Sequence, residues 1–159
     1  MKLKQVIRGA KSRPDIGPWH TGRVNRADFP LSRAKSRNYR FGPEYMWRVA
    51  KFTCSGERFR ILILFNAGKM IYRATLGIEQ GNDLVILCHY EYHAQEPGWH
   101  CHLTLADHSK ASMGWFRRGM RRWPAAKAQH MHVTFGVTQA KALTVAADRF
   151  RLAVQGDLL

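Results

Sequence analysis

Acidic residues and long apolar runs are both scarce in this sequence of 159 residues. Eleven aspartates and glutamates stand against 26 lysines and arginines, and the formal net charge is +15. A surplus of this size favours a polyanionic partner, most often nucleic acid. The longest apolar run, Ile61 to Phe65, has only the length of a strand. No segment is therefore expected to span a membrane.

Cysteine is also rare, and its spacing excludes a disulfide scaffold. The chain has Cys54, Cys88 and Cys101, an odd number with no CxxC pair. This usage predicts a reducing compartment, the cytoplasm. The N-terminus is basic but lacks the apolar stretch and small-residue cleavage site of a secretory signal. The expected location is accordingly cytoplasmic.

Apolar and aromatic residues are plentiful enough for one packed domain. Hydrophobic residues make up 45% of the chain and aromatic residues 11%, which excludes wholesale disorder. Alternating apolar runs separated by Gly and Asn turn signals predict strands. The predicted strands are Met46–Cys54, Arg58–Asn66, Met70–Glu79, Leu84–His93, Trp99–Leu105 and His130–Phe135. Helical spacing predicts a helix capped by Thr138 that runs to about Val154, and a second helix over 111–123.

The fold class that follows is α+β. We expect an antiparallel β-meander sheet of about five or six strands with C-terminal helices, forming a single domain over residues 41–159. Residues 1–40 contain three prolines and no clear period. They are expected to form a basic, weakly structured N-terminal arm.

Positive charge is concentrated in two blocks. Residues 1–40 hold eleven lysines and arginines and two acids, and residues 109–127 hold six basic residues and no acid. The second block places arginines next to tryptophans, a combination that suits phosphates and stacked bases. The predicted nucleic-acid-binding residues are Arg117, Arg118, Arg121, Arg122, Trp115 and Trp123. The competing interpretations are a solvated tail for the first block and an amphipathic helix for the second.

Seven of the eight histidines lie between residues 89 and 132, and strand alternation phases them. His89, Glu91 and His93 share one side of their predicted strand. His100, His102 and Thr104 share one side of the next strand, and His130, His132 and Thr134 repeat the pattern. We call the side that carries His89, Glu91, His100 and His102 the histidine face. A hairpin over 94–98 predicts that His93 pairs with His100 and Glu91 with His102.

Two kinds of chemistry suit the histidine face. His100, His102 and Glu91 are the predicted metal ligands, for Zn, Mn or Mg, because imidazole and carboxylate donors can leave open positions for water or phosphate. Without a metal, His102 and His132 can divide general-base and general-acid roles. The predicted catalytic residues are His102, His132, His100 and Glu91. The competing interpretation is a set of structural histidines on a solvated sheet face.

Two local segments resemble known phosphodiester-processing families. Gly98-Trp99-His100-Cys101-His102-Leu103-Thr104-Leu105 resembles the histidine-hydrophobic-histidine strand of HUH endonucleases. That resemblance implies cleavage of single-stranded DNA by a tyrosine, and Tyr45 or Tyr72 would have to serve. His102-Leu103-Thr104-Leu105 and His132-Val133-Thr134-Phe135 resemble the paired motifs of two-histidine phosphoesterases, which implies action on RNA ends or cyclic phosphates.

Three functions remain open at this point. The first is a phosphodiesterase or nuclease that acts on RNA or single-stranded DNA through the histidine face. The second is a non-catalytic basic nucleic-acid-binding module whose histidines are structural or hold zinc. The third is a small-molecule or nucleotide enzyme with a metal on a His-x-His strand, as in cupins, in which the charge mainly aids solubility.

Overall fold

The computed structural model describes residues 1–31, 39–104, 120–123 and 135–153, and these contain two helices and eight strands. The helices are α1 (Leu3–Arg8) and α2 (Gln139–Phe150). The strands are β1 (Ser12–Ile16), β2 (His20–Thr21), β3 (Met46–Cys54), β4 (Glu57–Asn66), β5 (Ile71–Gln80), β6 (Asp83–His93), β7 (Glu96–Leu103) and β8 (Arg121–Trp123).

The strands form one antiparallel sheet in the order β1-β3-β4-β5-β6-β7-β8, and β2 also pairs with β3. The expected α+β class with an antiparallel meander is thus confirmed, although the sheet has more strands than the predicted five or six. Tight turns join the long strands. Between β3 and β4, Ser55 and Gly56 both have positive φ, 51° and 81°, the conformation that two-residue hairpin turns require.

One side of the sheet, which we call the helix face, packs against both helices. Its apolar cluster joins Leu3 and Val6 of α1 to the buried residues of α2 and of β3 to β7. The buried hydroxyl of Tyr72 donates to the carbonyl of Ala142 at 2.9 Å, which ties α2 to β5. Burial of the α2 stripe explains why the predicted C-terminal helix forms.

The opposite side is the histidine face, and the N-terminal segment covers its apolar half. Phe29, Leu31 and Tyr39 pack on Trp47 and Leu64, which belong to the same buried cluster. The predicted weakly structured arm is therefore wrong for the described part of residues 1–40. Those residues form α1, β1 and β2, because their few apolar side chains find partners on both faces of the sheet.

A β-bulge breaks the predicted alternation of β6. Leu76 pairs with Cys88, but the next residue, Gly77, pairs with Ile86, so β6 contains one extra residue. Leu84 and Ile86 therefore lie in the cluster of the histidine face. Strict alternation along β6 would place both of them on the same side as Tyr90. The bulge could not be detected from the sequence, because Leu84 to Cys88 are all apolar and show no alternation that the extra residue could interrupt.

Two other expectations change at the C-terminal end. Within the predicted helix over 111–123, the described residues Arg121–Trp123 form β8, an edge strand paired with β7. The predicted sixth strand, His130–Phe135, lies outside the described residues except for Phe135, which is not in a strand. α2 ends at Phe150, and so one C-terminal helix is described where two were expected. Neither described helix is long and apolar enough to cross a membrane.

Candidate metal centre

The register of β6 and β7 brings the histidine face together. His89 lies opposite His102 and Glu91 opposite His100, so the predicted pairs, His93 with His100 and Glu91 with His102, are wrong by two residues. The turn between the strands is tighter than the predicted loop over 94–98. Because side chains alternate with a period of two, a two-residue shift keeps the same residues on the same face.

Glu91 is the centre of the side-chain cluster. Its Oε1 atom lies 3.2 Å from Nε2 of His102 and 3.5 Å from Nε2 of His100. Ligand atoms of these three residues all lie within 4.8 Å of one another. Glu91 and His100 are each 1% exposed, so water competes little with whatever these groups bind.

Backbone geometry fixes the tautomer of His100. Its Nδ1 lies 3.1 Å from the carbonyl oxygen of Gly98, and a carbonyl can only accept a hydrogen bond. A proton is therefore on Nδ1, and Nε2 is the ring nitrogen that faces Glu91. Ligating histidines in proteins are usually oriented in this way.

Arg73 on β5 orients the carboxylate from the other side. Its Nε donates to Oε2 of Glu91 at 2.8 Å, and the two residues are directly opposed in the sheet. A guanidinium this close favours the ionised carboxylate, which is the form that binds a cation. Our sequence reasoning missed Arg73, although its alternation with Tyr72 and Ala74 places it on the histidine face.

Two further histidines surround the cluster at different depths. His89, which is 1% exposed, contacts the Thr75 hydroxyl through Nδ1 at 2.9 Å and so belongs to a supporting layer. His93 lies toward the open side. Its Nε2 is 3.9 Å from Oε1 of Glu91, and its ring centroid is 5.1 Å from that of His100.

The N-terminal segment places a tyrosine beside the same group. Tyr39 is 4% exposed, and burial raises the pKa of its hydroxyl well above the usual range. Nearby Arg73 opposes this rise and Glu91 adds to it, so the ring lies within electrostatic reach of both. Tyr39 is consequently a neutral hydroxyl at neutral pH.

The spacing of these donors fits a divalent ion. Bonds of about 2.1 Å with angles between octahedral and tetrahedral values put neighbouring ligand atoms roughly 3.0 to 3.4 Å apart. The two distances from Glu91 Oε1, 3.2 and 3.5 Å, are close to that range. Two imidazoles favour zinc, manganese or iron over magnesium, which prefers oxygen donors.

The remaining predicted residues divide into two groups. Arg121, Arg122 and Trp123 lie on β8, where Arg122 is directly opposite His102 and Trp123 is 64% exposed. Arg117, Arg118, Trp115 and His132 lie outside the described residues, so the proposed acid–base pairing of His102 with His132 stays a prediction.

The tyrosines implied by the endonuclease resemblance do not join the cluster. Tyr72 is fully buried on the helix face, and its hydroxyl is bonded to α2. Tyr45 packs its ring beside Phe41 and Lys69. Cys101, between the two cluster histidines, lies in the core of the helix face.

No protein family, curated protein or solved structure matches this chain in comparisons of sequence and structure.

Proposed function

We propose that this protein is a metal-dependent phosphodiesterase that cleaves RNA or single-stranded DNA. The observation that carries the proposal is the grouping of Glu91, His100 and His102 around one point on the histidine face. Two imidazoles and a carboxylate occupy three positions of a metal ion and leave others for water and a phosphate oxygen.

Each cluster residue has a defined role in this proposal. The ion would lower the pKa of a bound water, so that hydroxide is available near neutral pH. His100 and His102 would hold the ion through Nε2, and Glu91 would supply negative charge. Arg73 orients the Glu91 carboxylate through Oε2.

The nucleic-acid partner is supported by charge and position. The net charge of +15 favours a polyanion. Arg122 is paired in register with His102 on the edge strand β8, so a guanidinium lies one strand from the cluster and can contact a phosphate next to the scissile one. Trp123, which lies opposite Cys101 and therefore on the helix face, offers an exposed ring at the same edge of the sheet.

The first experiment measures metal binding. Calorimetric titration of the chelator-treated protein with Zn²⁺ or Mn²⁺ should give one ion per chain. His102→Ala should lose that binding, whereas His20→Ala should retain it, because His20 lies on β2 beside Trp47 and away from the cluster. Equal binding by both variants would contradict the assignment of the site.

The second experiment measures cleavage. Labelled RNA and single-stranded DNA are incubated with the protein and Mn²⁺, with the protein and chelator, and with His102→Ala. Cleavage that requires both the metal and His102 supports the proposal. Cleavage that survives chelator but not His102→Ala favours metal-free acid–base histidines, and cleavage unaffected by His102→Ala would refute a role for the cluster.

The burial of the cluster supports a second candidate, a nucleic-acid-binding module with a closed structural zinc site. Glu91 and His100 are 1% exposed, and His93 can supply a fourth ligand. In that case chelation should unfold the protein and no cleavage should occur. A protein that stays folded in chelator and regains cleavage with metal would exclude this candidate.

A further inference from the structure

A cavity of about 500 Å³ opens on the helix face, on the opposite side of the sheet from the metal cluster. Its lining includes Tyr90 and Trp99 from the sheet and Val145, Asp148 and Arg149 from α2. The volume is within the range of small-molecule sites. The proposed phosphodiesterase chemistry makes no use of this cavity.

Two aromatic rings form one wall of the cavity. Tyr90 and Trp99 stack with their centroids 5.1 Å apart and an interplanar angle of 28°. Tyr72 meets the Trp99 ring edge-on at 5.3 Å, which holds it in place. Both wall residues are half-buried, so part of each side chain remains accessible to a ligand in the cavity.

Charged groups from α2 border the same wall. The Arg149 guanidinium lies over the Tyr90 ring at 5.0 Å and donates to Sγ of Cys101 at 2.8 Å, so its position is fixed by two contacts. Asp148, the preceding residue, is exposed and lines the cavity. An aromatic wall with a fixed cation and a carboxylate acceptor suits a planar heterocycle that carries N–H donors.

We propose that this cavity binds a nucleobase, which packs against the accessible side of the Trp99 ring and donates hydrogen bonds to Asp148. Stacking on aromatic side chains binds any base, and the carboxylate favours bases with N–H groups on their edge. The cavity is separate from the group of Glu91, His100 and His102. It can bind a base whether or not the protein cleaves nucleic acid.

The test is calorimetric titration of the purified full chain, without chelator, with each of the four nucleoside 5′-monophosphates. Ribose 5-phosphate, which lacks the base, is the matched ligand control. We expect at least one monophosphate to bind and ribose 5-phosphate not to bind; binding of both with equal affinity, or of neither, would overturn the proposal.

Variants assign the binding to the cavity. Asp148→Asn should weaken it about tenfold, since the charged acceptor is replaced by a neutral amide that accepts a weaker hydrogen bond. Trp99→Leu should weaken it by about tenfold or more. Asp15→Asn on β1, an exposed position away from the cavity, should leave it unchanged. Because Asp148 is exposed, its variant should fold, and unchanged affinity in Asp148→Asn would contradict the proposal even if Trp99→Leu were unstable.

Discussion

The ion pair between Arg73 and Glu91 is largely buried, because the Glu91 side chain is 1% exposed and the Arg73 side chain 21% exposed. A buried charge that loses its partner retains its full desolvation cost. The guanidinium of Arg73 therefore offsets part of the desolvation cost of the Glu91 carboxylate.

Arg73→Met should lower the free energy of unfolding in chelator by about 3 kcal/mol. Zn²⁺ or Mn²⁺ should restore part of that loss, since a bound cation supplies the missing positive charge. Urea unfolding with and without metal measures both effects.

Arg58→Met is the matched control for that prediction. Arg58 pairs with Glu79, but its side chain is 74% exposed, so its loss should change stability by less than about 1 kcal/mol. If metal stabilised the Arg58 and Arg73 variants equally, the proposed link between Arg73 and the cation would be wrong.

At the scale of elements, alternation in the sequence predicted the long strands well. β3 matches its prediction from Met46 to Cys54, and β6 differs by one residue at its start. Turn residues account for this success, because the Gly and Asn signals mark hairpins locally. The candidate metal residues were also found in this way, since the face of a residue depends only on whether its position is odd or even within a regular strand.

Non-local pairings could not be predicted in the same way. The bulge opposite Gly77 and the two-residue shift between β6 and β7 depend on which strand lies alongside. β1, β2 and β8 are short and polar, and their ladder partners are far away in sequence. Arg73 was missed because alternation shows which face it is on but not that it lies directly opposite Glu91.

The bulge gives a testable prediction for Gly77. A Cβ there would lie 3.2 Å from Cδ1 of Ile86 and 3.4 Å from Cβ of Leu84. Gly77→Ala should therefore lower the free energy of unfolding by about 1 to 3 kcal/mol through overpacking. Gly68→Ala, in an exposed turn with its nearest neighbour at 3.6 Å, serves as the control in the same thermal or urea unfolding measurement. Equal stability of the two variants would argue against tight packing at the bulge.

The cap of α2 gives a second prediction at this scale. The Thr138 hydroxyl accepts from the backbone N–H of Lys141 at 3.4 Å. Thr138→Ala should lower the unfolding free energy by about 1 kcal/mol, and Thr138→Ser should retain most of it. Chemical denaturation distinguishes the two; a serine variant as unstable as the alanine variant would point to lost packing of the methyl group instead.

At the scale of the whole molecule, the N-terminal segment contributes both positive charge and core packing. Leu3 and Val6 belong to the core, and Arg60 donates to the carbonyls of Ala27 and Asp28. Deleting residues 1–40 is thus expected to unfold the protein, and it is not a clean test of nucleic-acid binding. Charge must be tested with substitutions at the surface.

Salt dependence provides such a test. If nucleic acid is the partner, affinity for single-stranded DNA should fall about a hundredfold or more between roughly 50 and 200 mM salt, through release of counterions. Arg121→Gln should reduce the slope of log affinity against log salt by about one. Arg58→Gln is the control, because Arg58 lies on β4, four strands away from β8 in the sheet. A flat salt response, measured by fluorescence anisotropy, would argue against a phosphate-binding surface.

β7 carries the imidazoles of His100 and His102 on one side and the side chains of Trp99 and Cys101 on the other. A single inserted or deleted residue within β7 upstream of His100 would exchange these two sets. It would bury imidazoles in the apolar core and turn the indole toward Glu91. We therefore expect natural variation in this strand to proceed by substitution and to exclude changes of length, whereas the turn at Ser55 and Gly56 should accept insertions. A deep mutational scan that includes single-codon insertions would display that contrast directly.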